Sequence, residues 1–361
     1  MGIRYFWLGA LVFLASAGLW LRSSLFGFDS YATLAAVRFG WFDNFAWQPF
    51  ANVVWAILPD SLLIFNLIMF LSLFFSVLGV WKLVCYFYDE RKAWMSVFLL
   101  LGLSPVLLFG FGEFENEVLA YPLIVWSIYW FLTSKSIKTT IQSIVTMLFS
   151  FGFWGWPYYL TFFNFGCENC AVEQSMFAGL LNLWLLLPFL FFIPLLSGNL
   201  KWFGLLALFG WLWNAKLFIL LLPFVALAIA EFFYRVELTE TSNIYVCFLE
   251  KHLNYVFIIA FFCLIGWNIA FVLQLPNQND WIAVETAVKL SEDNNLPLYN
   301  DWSYGYWFWS KGIKTRNNPG DQFDLNYVDK GVYLTEKDLN CLLVYEKKEI
   351  ARKKTNIWQC N

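Results

Sequence analysis

Apolar positions in this chain run in long blocks, and the charged positions are confined to the gaps between them. Roughly nine blocks, at 5–26, 61–87, 93–111, 118–134, 141–160, 175–197, 200–213, 216–234 and 254–275, approach the ~20 residues that a helix needs to cross a hydrocarbon core. The first contains small residues at 14–18, yet its apolar run is too long for a cleavable signal peptide, so it reads as a membrane anchor. Beyond Pro276 the pattern changes to Asp, Glu, Lys and Asn scattered among fewer apolar residues. This marks one domain boundary, between a polytopic transmembrane domain over 1–275 and a small α/β domain over 276–361. In the second domain, helical spacing of apolar residues predicts a helix over 282–290, and apolar runs predict short strands at 296–299 and 339–345. The basic stretch 347–354 reads as a solvated helix face.

Composition agrees with a membrane protein. The chain is 60% hydrophobic and 22% aromatic with only 14% charged residues, and its mean hydropathy is +0.59. A soluble domain could not hide that much apolar surface. The net charge of −3 provides no basic field, which excludes nucleic acid as a partner and leaves membrane lipids as the surroundings.

Lysine and arginine placement sets an orientation. With Arg4 inside, the inner loops carry Arg91, Lys92, Lys135, Lys138, Lys201, Arg235 and Lys251, whereas the outer loops hold mainly Arg22, Arg38 and Lys216. By the positive-inside rule the chain is a multi-pass protein of a cell membrane, with Asp29, the Glu113 cluster and the C-terminal domain outside the cytoplasm. A single crossing of 200–234, in place of two joined by a turn at Asn214-Ala215-Lys216, would send the tail to the cytoplasm instead.

The outer loops carry the candidate chemistry. Residues 27–60 open with Gly27-Phe28-Asp29-Ser30-Tyr31, continue with apolar residues at helical spacing that suggest a helix lying in the interface, and then reach Asp43. A second acidic cluster, Glu113, Glu115 and Glu117, stands between the third and fourth blocks. An ionised carboxylate beside hydrocarbon is costly unless it meets water, a metal or a partner, so two clusters at one membrane level suggest a catalytic centre; solvated loop acids are the alternative. Cys167-Glu168-Asn169-Cys170 lacks a second pair or an outer histidine to complete a zinc site, which leaves a local disulfide or two thiols. Cys85, Cys247 and Cys263 read as small packing residues. Cys341 and Cys360 are placed to bridge in an oxidising compartment.

In the C-terminal domain, Leu298-Tyr299-Asn300-Asp301-Trp302-Ser303-Tyr304-Gly305-Tyr306-Trp307 puts an amide, an acid and several aromatics on one turn after a strand. Gly305 permits close backbone approach. Aromatic faces beside polar groups suit a carbohydrate or a lipid head; the same composition also suits an aromatic anchor in the membrane interface.

The order of these features resembles the GT-C class of polytopic glycosyltransferases. Phe28-Asp29-Ser30-Tyr31 resembles the first acidic motif of oligosaccharyltransferase catalytic subunits, and Gly112-Glu113-Phe114-Glu115-Asn116-Glu117 is similar to their second, with Glu in place of Asp. Asn300-Asp301-Trp302-Ser303-Tyr304-Gly305 resembles their Trp-Trp-Asp-Tyr-Gly signature, except that Ser303 stands where that signature has aspartate. With fewer spans and a smaller outer domain, the chain is closer in layout to GT-C enzymes that use polyprenyl-phosphate sugars. The resemblance implies a mainly α bundle with a small outer α/β domain, and transfer of a sugar from a polyprenyl-phosphate-linked donor to a glycan, lipid or protein acceptor. A reduced oligosaccharyltransferase is the neighbouring alternative.

The residue inventory then assigns roles. The only histidine, His252, falls on the predicted cytoplasmic side, so an outer general base must be a carboxylate, tyrosine or lysine, and Asp29 is the choice. A single displacement needs one base and inverts the anomeric centre. Arg38, Lys216 and Lys311 are the cations available to a leaving phosphate, while Asn300, Asp301, Trp302, Tyr304 and Gly305 would bind substrate. Alternatively, Asp29, Glu115 and Glu117 form an oxygen-only set suited to Mg²⁺ or Mn²⁺. A transporter or a non-catalytic scaffold is the competing class, since Asn66, Asn182, Asn214 and Asn268 fall inside apolar blocks. Against a transporter, no repeated halves and no acid near the centre of a block are found.

Overall fold

The computed structural model describes residues 2–21, 49–58, 61–104, 116–154, 186–213, 217–238, 244–273, 278–300, 308–309, 312–317, 328–335, 338–347 and 355–360. These are mostly helical and divide into two compact units, one drawn from residues up to 273 and one from 278 onward.

The first unit is all helix: α1 Gly2–Ala15, α2 Ala17–Leu21, α3 Pro49–Ile57, α4 Leu62–Phe87, α5 Glu90–Leu103, α6 Asn116–Thr133, α7 Ile137–Trp154, the short α8 Leu187–Leu190, α9 Leu200–Trp213, α10 Phe218–Leu238 and α11 Ile244–Leu273. Among the described residues, two helices are long and apolar enough to cross a membrane, α4 with 26 residues and the 20-residue Phe218–Glu237 part of α10. The expectation of nine such helices is therefore not supported. An apolar window scores composition, but crossing ~30 Å at 1.5 Å per residue also requires an unbroken helix. The block at 5–26 is interrupted at Ser16. The block at 175–197 yields, among its described residues, only α8 and the 3₁₀ turn Ile193–Leu195, each with proline in its first turn. Blocks at 93–111 and 200–213 become 14-residue helices.

Small residues and hydrogen bonds set the helix contacts. A Cβ built on Gly102 of α5 would lie 2.5 Å from the Ala260 carbonyl oxygen of α11, so only glycine fits the crossing, and Trp267 Nε1 of α11 donates to the Gly102 carbonyl at 3.1 Å. Ser127 of α6 and Ser143 of α7 each donate to the other's carbonyl at 2.8 Å. Ser72 of α4 donates to the carbonyl of Val118 on α6. The buried hydroxyls of Ser72, Ser127 and Ser143 are thus spent on backbone carbonyls of the neighbouring helix. Large apolar side chains face outward: Ile137 is 81% exposed, Phe191 78% and Leu206 70%.

The second unit pairs α12 Gln278–Asp293 with a four-stranded sheet of β1 Leu298–Asn300, β2 Gly331–Thr335, β3 Leu342–Lys347 and β4 Thr355–Cys360, in the order β1-β2-β4-β3. β1 runs parallel to β2, and β4 is antiparallel to both β2 and β3. One face carries Tyr333, Leu339, Trp358 and Cys360, with Tyr299 and Cys341 packed against them. Val332, Leu334 and Ile357, on alternate positions, are fully buried. α12, which packs against β2, adds the buried Ala283, Val284 and Ala287. The expected helix over 282–290 and the first expected strand are present within a few residues. The basic stretch does not begin as a helix: Lys347 closes β3 and pairs with Thr355, because the hairpin recruits it. Cys341 and Cys360 form a disulfide across 19 residues at the end of the β3–β4 hairpin remote from its turn.

Candidate functional site

Among the residues assigned a catalytic, substrate-binding or metal-binding role from the sequence, Asn300 is the one whose side chain is described. It ends β1, is fully buried, and its backbone is held from both sides by Asn317. The Asn300 N–H donates to Asn317 Oδ1 at 3.1 Å, and Asn317 Nδ2 donates to the Asn300 carbonyl at 2.8 Å. Asn317 is fixed in turn by its neighbours: the Trp309 indole donates to Thr315 Oγ1 at 2.9 Å, that hydroxyl donates to the Asn317 carbonyl at 2.9 Å, and Arg316 N–H donates to the Leu298 carbonyl at 2.8 Å. Phe308, fully buried, anchors the chain on the far side of the string. The sequence reading missed Trp309, Thr315 and Asn317, whose signal is slight because Thr-Arg-Asn-Asn-Pro reads as an ordinary turn.

The string beginning at Asn300 leaves from the carboxyl end of β1. Since β2 is parallel, its own carboxyl end lies alongside, with Asn300 opposite Leu334; in open sheets with parallel strands, ligand crevices form outside such ends. Buried polar side chains continue across the sheet there. Thr335 ends β2 opposite Asn356 of β4, both fully buried, and Asn356 Nδ2 donates to Asp338 Oδ1 at 3.3 Å. Tyr299 stacks on Tyr333 at 4.6 Å with rings 5° from parallel. Burial, with Tyr299 beside it, pushes the Tyr333 hydroxyl up to about 12, and that hydroxyl donates to the Asp329 carbonyl at 2.9 Å.

Asp29, Arg38, Glu115, Lys216, Asp301, Trp302, Tyr304 and Gly305 lie outside the described residues, as do Lys311, the cysteines at 167 and 170, and the expected interfacial helix of the first loop. Glu117 is the second residue of α6, and its side chain is outside the described set. Among the described residues no cluster of histidine, cysteine, aspartate and glutamate is arranged to hold a metal.

A second concentration of charge joins α1, α5 and α10. Arg4 pairs with Glu90 at 2.6 Å. Lys92, nearly buried, reaches Asp89 at 2.5 Å and Glu237 at 2.6 Å. Arg235 pairs with Glu231 at 2.6 Å, and Glu231 also accepts from the Tyr88 hydroxyl at 2.8 Å. Burial opposes charge on Lys92, but its bonds to Asp89 and Glu237 outweigh this and raise its pKa. Partial burial likewise works against the Asp89 carboxylate, and hydrogen bonds from Lys92 overcome it, holding the carboxyl below its usual range. Arg4, Arg91, Lys92 and Arg235, all assigned to inner loops from the sequence, belong to this one end-of-helix network.

Compared with known protein families and with curated protein sequences, the chain matches none.

Proposed function

We propose that the chain is a multi-pass membrane glycosyltransferase of the GT-C kind, moving a sugar from a polyprenyl-phosphate-linked donor to an acceptor on the extracytoplasmic face. The observation that carries this reading is the double clasp of Asn300 by Asn317, which holds the start of the Asn300-Asp301-Trp302-Ser303-Tyr304-Gly305 string at the carboxyl end of a parallel strand. Membrane embedding is supported by the two long apolar helices and by the outward-facing Phe191, Leu206 and Ile137 beside buried serines and asparagines. The common inner end is supported by the shared network of Arg4, Arg91, Lys92 and Arg235. An outer C-terminal domain is supported by the Cys341–Cys360 disulfide, which belongs to an oxidising compartment.

In this reading Asp29 takes the proton of the acceptor hydroxyl as its oxygen bonds to the anomeric carbon. The bond from that carbon to the donor phosphate breaks on the opposite face, and the configuration inverts. Arg38 and Lys216 neutralise the departing polyprenyl phosphate. Asp301 and the Trp302 and Tyr304 rings orient the sugar or acceptor. The competing transporter reading is disfavoured by Asn66 and Asn268, whose amides are engaged by the backbone of α1 and α2.

The test is transfer by the purified full chain with a polyprenyl-phosphate sugar. Asp29→Asn keeps the side chain's size and removes its charge, and should lower the rate about 10²–10⁴-fold; Asp43→Asn, in the same loop, should cost far less. Equal small losses would sink Asp29 as the base. Undiminished transfer in EDTA is expected if Arg38 and Lys216 serve the leaving group, whereas loss restored by Mn²⁺ or Mg²⁺ would assign Asp29, Glu115 and Glu117 to a metal.

A further inference from the structure

A cavity of about 690 Å³ opens between α6, α7, α9 and α10, with a lining that is almost wholly apolar. Phe131, Phe203, Ala207 and Leu217 mark its extent, and the Ser127–Ser143 pair, with its hydroxyls already engaged, forms part of its wall. The Phe131 and Phe203 rings meet at 5.5 Å, which holds the carboxyl end of α6 beside the amino end of α9. Three lysines sit on the helix ends that this contact brings together, four residues after Phe131, seven after it and two before Phe203: Lys135 in the turn between α6 and α7, Lys138 as the second residue of α7, and Lys201 as the second residue of α9. Lys135 Nζ lies 5.7 Å above the Tyr86 ring and Lys201 Nζ 5.3 Å above the Trp202 ring. Hydroxyls of Ser134, Thr139 and Thr140 bond to one another in the same turn.

These lysines differ from the basic residues of the Arg4–Lys92–Arg235 network, each of which has a carboxylate within 4 Å. Among the described residues, Lys135, Lys138 and Lys201 form no ion pair, and no acid stands within the stretches of chain that carry them: none occurs between Glu117 and Glu168 or between Glu173 and Glu231. Lysines on helix ends adjoining an apolar cavity are complementary to a molecule with an anionic head and a hydrocarbon tail. We infer that this cavity binds an anionic phospholipid of the bilayer, one acyl chain within it and the phosphate at Lys135, Lys138 and Lys201. The inference rests on the membrane embedding proposed above. The same lysines were assigned to inner loops, so the occupant is a lipid of the inner leaflet and not the outer donor.

The full chain, incorporated into nanodiscs of equimolar phosphatidylglycerol and phosphatidylcholine and then mildly delipidated, should retain phosphatidylglycerol over phosphatidylcholine by about tenfold. Retained lipid is read by native mass spectrometry. The triple substitution Lys135→Gln, Lys138→Gln, Lys201→Gln removes exposed or half-buried charges and should bring the ratio to near one, with the melting temperature preserved. Ala207→Trp, which fills the cavity, should reduce retention of both lipids. A ratio near one in the unsubstituted chain, or a preference that survives the triple substitution, would overturn the lipid site. Failure of the chain to enter nanodiscs would instead remove the membrane reading itself.

Discussion

At the residue scale, the positions that matter most are polar groups whose partners are backbone atoms. Asn317 gives both of its amide functions to Asn300, so Asn317→Ala removes two hydrogen bonds at a buried strand end and should cost about 1–3 kcal/mol. Asn294→Ala loses one exposed bond to the Leu290 carbonyl and serves as the control, with a change near zero; thermal denaturation of the purified chain followed by near-UV circular dichroism compares the two. The Asp89–Lys92–Glu237 group makes stability depend on pH at both extremes. Asp89 has a folded pKa below the ordinary 3.8, so its contribution is present above that value and is lost as pH falls through the lower folded one. Lys92 is raised above 10.5, so its contribution is complete below 10.5 and is lost as pH rises through the higher folded value. Melting temperature against pH should therefore fall at both ends, and Lys92→Met should reduce the alkaline fall, the remainder coming from Tyr333 with its raised pKa; an unchanged alkaline limb would refute the assignment.

At the element scale, one glycine decides how α5 meets α11. Because the obstacle to a Cβ at Gly102 is the Ala260 backbone rather than a flexible side chain, Gly102→Val should destabilise by about 1–3 kcal/mol. Gly266→Val, on α11 with nothing near its added Cβ, should change stability little, and chemical denaturation in detergent measures both. The interruption between α1 and α2 has a different origin. The Gly18 N–H donates to Asn268 Oδ1 at 2.7 Å, and Asn268 Nδ2 lies within bonding distance of the Leu14, Ala15 and Leu264 carbonyls. Asn66 Nδ2 covers the Leu19 carbonyl at 2.7 Å. Asn66 and Asn268, which the sequence left open to a competing transporter class, thus supply the hydrogen bonds that a broken helix lacks. β2 and β4 escaped the sequence reading because Gly-Val-Tyr-Leu-Thr and Thr-Asn-Ile-Trp-Gln-Cys are short and lack clean alternation, and they are strands through pairing with each other.

At the scale of the whole molecule, the basic residues grouped by the loop pattern make a testable topology. Ser136 is exposed in the α6–α7 turn and Glu292 is exposed near the end of α12. Ser291 is a poorer probe because its hydroxyl donates to the Leu296 carbonyl. In intact cells, cysteine at 292 should react with an impermeant maleimide and cysteine at 136 should not; reaction of both would remove the outer placement of the C-terminal domain. The sequence by itself determined the apolar class, the helix that became α12, a short strand read at 296–299 and found at Leu298–Asn300, and the cysteines able to bridge, since all of these follow from local composition and spacing. Tertiary structure decided which apolar blocks are continuous helices: the backbone groups on either side of the break at Ser16 find their partners on Asn268, some 250 positions away. It also decided the sheet order, since the β1–β2 pairing joins strands separated by a long crossover and leaves no local periodic trace. At the candidate site, the asparagine that opens the motif was legible as chemistry, but the residue that holds it, Asn317, became visible only when folding brought the two together.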